Sequence, residues 1–235
     1  MANLKRTQKE IAAEIKKSLI TACRILSHEG LVHGFGHVSA RIPGSDLFLL
    51  TPRIGLALVK EKDLLVINLK GEIVAGNLPA PFEAPLHTAI FNGRAEVQAI
   101  ARFHGRRANK FSVTDRKIEP VHNHGSFFSG GVPVFTKTDL ISTQKLGEQV
   151  VAALGKKPAI LLRGNGQVTV GRTIPEAVMM AIYLEEAADM LYGALQIGTP
   201  IPLSSEESVL RQGETLPPVD LERAWNFFKN RLEKS

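Results

Sequence analysis

Helical and extended segments alternate along this 235-residue chain, and this alternation most constrains its fold. Helical spacing of apolar residues marks both ends of the chain, whereas short apolar runs between glycine turns lie in the middle. The predicted helices end near residues 27, 92, 154, 196 and 231, and the predicted strands cover residues 47–50, 64–69, 97–103, 159–163 and 168–170. Strands flanked by helices, without an internal repeat, indicate the α/β class.

The composition excludes several classes of protein. Hydrophobic residues make up 44% and charged residues 22%, which is typical of a globular chain and excludes disorder as the main state. The one cysteine, Cys23, excludes a disulfide framework and a cysteine-rich zinc module. No apolar run has the roughly 18 residues of a membrane span, and the N-terminus lacks the apolar core of a signal peptide. We therefore expect a cytoplasmic protein that binds no membrane.

Positive charge is concentrated in one stretch of the chain. The net charge is +6, and residues 102–117 contain six basic residues and one acidic residue. A nucleic-acid surface would explain such a stretch, but no nucleic-acid-binding motif accompanies it. A solvated surface is the second explanation. We favour the third, an anion-binding site for a small-molecule substrate that includes Arg106 and Arg107.

Two segments carry candidate binding or catalytic groups. A loop with Gly34 and Gly36 presents His37 and Ser39, and it is either a backbone cradle for an anion or a tight turn into a strand. Glu83 lies at the start of a predicted helix, where it either complements the helix dipole or acts as a general acid or base. In the second case, we expect burial by its apolar neighbours to raise its pKa.

Histidines suggest metal binding without requiring it. All seven lie between His28 and His124. His104 follows a predicted buried strand, where it either binds a metal or a carboxylate or has a structural role. His122 and His124 would point to the same side if they lay on a strand, but they are predicted to lie on a loop, where they need not share a metal.

Taken together, these segments resemble the class II aldolase/adducin family. The resemblance rests on the order and spacing of these motifs: Gly36-His-Val-Ser-Ala-Arg41, Leu50-Thr-Pro52, Asp63-Leu-Leu-Val-Ile-Asn-Leu-Lys-Gly71, Glu83 with Pro85-Leu-His87, Arg102-Phe-His104, Gly131-Val-Pro-Val134 and Leu161-Leu-Arg-Gly-Asn-Gly166. It implies a single-domain α/β/α sandwich with a mainly antiparallel central sheet over residues 1–235. Residues 204–235 would form a C-terminal extension ending in a helix. It also implies a homo-oligomer, usually a tetramer, with active sites between subunits.

The family's metal ligands are mostly missing from this chain. A his-x-his pair and a distant third histidine correspond here to Arg102, His104 and Asn165, so His104 is the only inherited ligand. A guanidinium and an amide cannot replace zinc-binding imidazoles. The resemblance therefore favours a metal-free site. The alternative is a divalent ion, zinc or manganese, held with the help of His87, His122 or His124.

The resemblance also indicates a class of reaction. Sugar-phosphate aldolases of the family have two serines before the catalytic glutamate, where this chain has Pro81 and Phe82, and an asparagine where this chain has His37. The glycine loop and the Arg223-Ala-Trp225 segment look more like the branch of decarboxylases of aromatic acids. A carbon–carbon lyase follows, acting by retro-aldol cleavage or decarboxylation on a non-phosphorylated aromatic or carboxylate-bearing substrate. Degradation of aromatic compounds is the corresponding role.

The resemblance implies that Glu83 is the catalytic acid or base that moves the proton. Our hypothesis is that the fixed charge of Arg102, at a lost metal-ligand position, partly replaces the family's metal and that His104 hydrogen-bonds a substrate hydroxyl. The predicted substrate-binding residues are His37, Ser39, Arg106, Arg107, Arg163 and Asn165. The alternative is a non-catalytic scaffold similar to the adducin head, since loss of metal ligands is also typical of an inactive relative.

Overall fold

A computed structural model describes residues 8–215 and 218–233. Its α-helices are α1 (Gln8–His28), α2 (Ala84–Gly93), α3 (Arg106–Phe111), α4 (Gln144–Leu154), α5 (Ile174–Ile197), α6 (Ser205–Thr215) and α7 (Pro218–Leu232). Its strands are β1 (His37–Arg41), β2 (Leu47–Leu50), β3 (Leu65–Asn68), β4 (Ile73–Ala75), β5 (Ala99–Phe103), β6 (Val134–Phe135), β7 (Ala159–Leu162) and β8 (Gln167–Gly171). A 3₁₀ helix, His124–Phe128, precedes β6.

The eight strands form one sheet in the order β4-β3-β2-β1-β5-β8-β7-β6. Every neighbouring pair is antiparallel except β6 and β7. One face of the sheet packs against α1, α3, α5 and α7, and the other packs against α2 and α4. Each face of the sheet forms an apolar core with the helices that cover it, and successive strand residues point into these two cores in turn because the side chains of a strand alternate. The predicted α/β/α sandwich with a mainly antiparallel sheet is confirmed.

The centre of the sheet contains a strand that the sequence did not predict. Residues 37–41 were assigned to the glycine loop, but they form β1, between β2 and β5. In β1 the apolar Val38 and Ala40 enter the α1–α5 core, whereas His37 and Ser39 point to the α2 side. The segment does alternate polar and apolar residues, as a half-buried strand should, but the glycines before it favoured a loop. The polar residues His37 and Ser39 contact His87 of α2.

The turn between β7 and β8 and the start of α5 are formed as the sequence predicts. Gly164 and Gly166 both have positive φ, 66° and 85°, and the N–H of Leu162 donates to the carbonyl of Gly166 at 2.8 Å. This closes the predicted hairpin between β7 and β8. Thr173 also caps α5, because its hydroxyl accepts the N–H of Glu176 at 3.1 Å.

The C-terminal segment contains two helices, α6 and α7, where the sequence predicted one. Residues 216–217 and 234–235 of the predicted extension, like residues 1–7, lie outside the described residues. Within the described part of the chain, no helix is both long and apolar enough to cross a bilayer.

Candidate active site

A cavity of about 450 Å³ opens beside the ends of β1 and β5. His37 of β1 and Arg102 of β5 are paired across the two central strands, and both side chains are buried. Glu83, just before α2, closes the cavity from the helix layer. His104 and Asn165 complete its polar wall. Five of the predicted site residues therefore meet in one cavity.

The carboxylate of Glu83 forms the centre of this polar wall. Its Oε2 lies 3.1 Å from Nε of Arg102 and 3.5 Å from Nε2 of His37. Glu83 occupies the N-cap position of α2, yet its side chain accepts no hydrogen bond from that helix. Its Oε1 is buried and makes no hydrogen bond of normal geometry among the described residues, although the backbone N–H of Ile141 also helps to lower the pKa of Glu83. One carboxylate oxygen therefore faces Arg102 and His37, and the other lacks a full hydrogen bond.

Arg102 is fixed at both ends of its guanidinium group. Nη1 donates to the carbonyl of Phe103 at 2.8 Å and lies 3.3 Å from Nε2 of His104, and Nη2 donates to the carbonyl of Asn165 at 2.6 Å. Nε lies 3.1 Å from Oε2 of Glu83, but it makes no hydrogen bond of normal geometry among the described residues. A guanidinium has five N–H groups, so the second N–H of Nη2 is not used by these contacts.

Gly166 makes room for this arrangement. A Cβ at Gly166 would collide with the carbonyl oxygen of Phe103 and would lie 2.7 Å from Nη1 of Arg102. The turn after β7 therefore needs glycine both for its positive φ and for the close approach of the guanidinium.

Burial and neighbouring charge have opposite effects on the pKa values of Glu83 and Arg102. Burial lowers the pKa of Arg102, and Glu83 partly offsets the effect, but an arginine remains charged in proteins. Burial opposes ionisation of Glu83, but the hydrogen bond to His37 and the charge of Arg102 outweigh it and lower its pKa to about 2. The sequence-based expectation of a raised pKa for Glu83 was wrong, because these two partners come from distant segments of the chain.

The three side chains behind Glu83 form one hydrogen-bonded chain. The hydroxyl of Ser39 lies 2.6 Å from Nδ1 of His87, Nε2 of His87 lies 2.6 Å from Nδ1 of His37, and Nε2 of His37 faces Glu83. One assignment of the hydrogen atoms is consistent with all three contacts: Ser39 donates to His87, His87 donates to His37, and His37 donates to the carboxylate of Glu83. Burial lowers the pKa of both histidines. They are therefore neutral, and the chain fixes the tautomer that His37 presents to Glu83.

His104 is also a neutral imidazole. Burial, followed by the charge of Arg102, lowers its pKa to about 4. Because arginine only donates hydrogen bonds, Nε2 of His104 accepts from Arg102 and the ring proton lies on Nδ1.

The residues at this cavity do not fit the divalent ion that the family resemblance implies. Arg102, His104 and Asn165 do come together, but a guanidinium has no lone pair for a metal, and its charge repels one. Asn165 accepts a hydrogen bond from Arg102 through its backbone carbonyl, and its side-chain amide is not among the groups that zinc prefers. His87 offers no free nitrogen, since His37 and Ser39 use both. His122 and His124 do not line the cavity.

Four predicted substrate-binding residues lie outside the cavity. Ser39 is fully buried behind His87, and Arg163 is exposed on the β7–β8 turn. Arg106 is exposed, and Arg107 pairs with Asp189 at 2.6 Å. Within residues 102–117, Arg102 is the only arginine or lysine that lines the cavity. The predicted anion site therefore rests on one buried charge, and the positions of these four side chains do not support their predicted roles.

Sequence reasoning missed Phe35, Leu140 and Arg53 at the mouth of the cavity and named Phe82 only as the replacement of a serine. Phe35 is 78% exposed, Phe82 is 63% exposed, and Leu140 is also exposed. The guanidinium of Arg53 lies 4.3 Å from the centre of the Phe82 ring. The signal that could have identified Arg53 is its position after Thr51-Pro52, a motif of the family resemblance, although nothing local places it opposite Phe82.

Low pH is expected to weaken the fold through Glu83. A carboxyl group whose folded-state pKa is depressed stabilises the protein above its unfolded pKa, near 4.5, and this contribution is lost as the pH falls towards about 2. Lowering the pKa of Glu83 by two to three units corresponds to about 3 kcal/mol of folding stability at neutral pH. Urea unfolding at pH 7, 5 and 3 should show the stability gap between the wild type and Glu83→Gln narrowing as the pH falls. A gap that stays constant would contradict the depressed pKa.

Comparison with known proteins adds sequence and structural relatives. The family model described as Class II Aldolase and Adducin N-terminal domain matches residues 17–192. A 3,4-dihydroxyphthalate decarboxylase from Arthrobacter keyseri is 31% identical over 195 residues, covering 76% of this chain and 77% of the relative. An L-fuculose phosphate aldolase from Escherichia coli (strain K12) is 26% identical over 198 residues, covering 83% and 91%. The structure of an L-fuculose 1-phosphate aldolase from Glaciozyma antarctica PI12 superposes with a TM-score of 0.84 at 25% identity, covering 100% and 94%.

Proposed function

Because the chain belongs to the class II aldolase and adducin family, we propose that it decarboxylates hydroxylated aromatic carboxylic acids and that Arg102 takes the place of a metal ion. Relatives named as decarboxylases and aldolases confirm the predicted class, a carbon–carbon lyase of the class II aldolase type. One observation carries the finer proposal. The buried Glu83–Arg102 pair, in which Oε1 of Glu83 and Nε of Arg102 lack a full hydrogen bond among the described residues, lines a cavity that has an aromatic rim.

The cavity favours an aromatic acid over a sugar phosphate. Phe35, Phe82 and Leu140 present apolar surface at its mouth, which suits a flat ring. Pro81 and Phe82 stand where the family's sugar-phosphate aldolases have two serines, so that hydroxyl pair is absent here. Arg53, beside Phe82, supplies a positive charge for a carboxylate that stays on the substrate.

The first step moves negative charge from Glu83 to the substrate. Oε1 of Glu83 takes the proton of a ring hydroxyl, and the resulting phenolate receives the remaining N–H of Arg102. The pKa of Glu83 is low because Arg102 is adjacent, and the same charge lowers the pKa of a phenol bound there. The net charge of the site does not change, since Arg102 exchanges one anionic partner for another.

The second step breaks the carbon–carbon bond. The phenolate pushes electron density into the ring, and the ring carbon that bears the carboxylate takes the proton from Glu83. The bond to the carboxylate then breaks, its electron pair restores the aromatic ring, and CO₂ leaves. Glu83 returns to its anionic form, and the phenolate product takes a proton from water. The neutral His104 hydrogen-bonds a second substrate oxygen, and the Ser39–His87–His37 chain holds Glu83 in position.

Assembly belongs to the same proposal. We propose that residues 1–235 act as one class II aldolase/adducin-like domain and that the chain forms the homotetramer implied by the resemblance. The exposed apolar side chains of Phe35, Phe82 and Leu140 support it, because apolar patches of this kind are typical of surfaces that another subunit or a ligand covers.

Turnover of a defined set of acids tests the proposed reaction. The purified chain should release CO₂ from 3,4-dihydroxyphthalate or a related hydroxylated benzoate, with the decarboxylated phenol as the second product. Phthalate should not react, because it has no hydroxyl group to supply the electron pair. Cleavage of L-fuculose 1-phosphate, release of an aldehyde in place of CO₂, or equal turnover of phthalate would contradict the proposal.

Arg53 is expected to affect binding more than chemistry. Because its guanidinium would hold a carboxylate that does not react, Arg53→Ala should raise KM about tenfold with kcat changed little. Initial rates over a range of substrate concentrations measure both constants, and Arg163→Ala is the matched control on an exposed arginine outside the cavity. A large fall in kcat for Arg53→Ala would instead place Arg53 at the reacting groups.

A further inference from the structure

Three metal-binding side chains from two segments meet outside the active-site cavity. His122 lies in the loop before β6, and His124 begins the 3₁₀ helix (residues 122–124 form the histidine loop), whereas Glu186 lies on α5. One ligand atom from each residue lies within 4.8 Å of the other two. Nδ1 of His124 is 2.7 Å from Oε2 of Glu186. None of the three residues lines the cavity that contains Glu83.

Neighbouring contacts hold the histidine loop in place on α5. The ring of His124 stacks on Tyr183 with centroids 4.1 Å apart. On one side of the histidines, the N–H of Leu203 donates to the carbonyl of Pro120 at 2.7 Å; on the other, the side chain of Gln212 donates to the carbonyl of Ser126 at 2.7 Å. Packing on Tyr183 and these hydrogen bonds of the flanking backbone therefore fix the position of the two histidines on α5.

We propose that His122, His124 and Glu186 form a zinc site. Two imidazoles and a carboxylate are a zinc donor set, with the fourth tetrahedral position left to water. At zinc–ligand distances near 2 Å, neighbouring ligand atoms are about 3.3 Å apart, so small side-chain rotations bring the three atoms to that spacing. Nδ1 of His122 has no hydrogen-bond partner among the described residues, so this ring is not fully committed to other contacts. The ion would tie the histidine loop to α5.

A simple ion pair is the competing interpretation of the same contacts. His28 and Glu29 form such a pair, with Nδ1 2.9 Å from Oε1. Among the described residues, this pair does not belong to a group of three side chains that could hold a metal. An exposed ion pair contributes little and binds no metal. His28 is therefore a matched control for His124.

Zinc binding to the full-length protein tests the site without relying on catalysis. After chelation and dialysis, calorimetric titration with Zn²⁺ should show one ion per wild-type chain and a rise in Tm. His124→Ala and Glu186→Gln should each weaken binding at least tenfold, whereas His28→Ala should bind as the wild type does. All three substitutions fall on partly exposed side chains, and Tm values measured without zinc check that each variant folds.

Three results would overturn the zinc site. One is the absence of saturable zinc binding to the wild type. Another is unchanged binding in both His124→Ala and Glu186→Gln, when both have folded. The third is binding that is lost in His104→Ala and retained in His124→Ala, because it would place the ion in the active-site cavity.

Discussion

Arg102→Gln is expected to lower kcat about 100- to 1000-fold, with a much smaller change in KM. The guanidinium stabilises negative charge that develops on the substrate oxygen during the reaction, and loss of one donor of this type costs about 3 kcal/mol of transition-state stabilisation. Glutamine retains polar N–H groups but has no charge. Initial rates with the substrate identified by CO₂ release would give both constants, and Arg163→Gln is the exposed control, expected to match the wild type.

Loss of stability must be separated from loss of charge in this variant. Removing Arg102 leaves the buried carboxylate of Glu83 without its ion-pair partner, and breaking a buried pair on one side costs about 3–5 kcal/mol. The double variant Arg102→Gln/Glu83→Gln removes both charges and should recover most of that stability. We expect it to fold and to remain inactive. A folded Arg102→Gln protein with nearly wild-type kcat would show that the guanidinium has only a structural role.

Glu83→Gln is expected to lower kcat about 100- to 10,000-fold, the usual contribution of a general acid or base. Glutamine has nearly the same shape and still contacts His37 and Arg102, but it cannot carry the substrate proton. KM should change little, because binding of the ring does not depend on that proton. The same kinetic assay measures the effect.

Glu96→Gln is the matched control for Glu83. Glu96 also faces an arginine, with Nε of Arg94 at 2.8 Å from its Oε1, but the pair lies at the surface outside the cavity. We expect Glu96→Gln to keep its full rate.

In the double variant Arg102→Gln/Glu83→Gln, the fall in kcat should be no larger than that caused by the more damaging single substitution, because the effects of groups that act as a unit are not additive. Rate losses that multiply would contradict the proposed exchange of partners at Arg102.

The layers of the fold were predictable because they depend on local patterns. Apolar periodicity located most helices and strands, and the glycines around Asn165 identified the β7–β8 turn. β1 was not predicted because Gly34 and Gly36 favoured a loop, although Val38 and Ala40 alternate with the polar His37 and Ser39. Such alternation indicates a half-buried strand, so this strand was predictable in principle.

The candidate site was predicted in part. Glu83, Arg102 and His104 meet as the family resemblance implied, because the motifs that carry them lie at fixed places in the fold. Arg106 and Arg107 do not reach the cavity, because a count of charges along the chain does not show which way a side chain points. The direction of the pKa shift of Glu83 could not be predicted either, since it depends on contacts between distant segments.

Metal content measured together with activity tests the metal-free site most directly. Purified protein would be treated exhaustively with a chelator, and its bound ions would be counted by mass spectrometry before the rate of CO₂ release is measured. We expect full activity without a stoichiometric ion, both in the wild type and in His124→Ala, which removes the proposed zinc ligand outside the cavity. The contrary result is a stoichiometric divalent ion whose removal abolishes activity. If adding the ion back also restored the activity of His124→Ala, the ion would lie in the active site and Arg102 would not replace the metal.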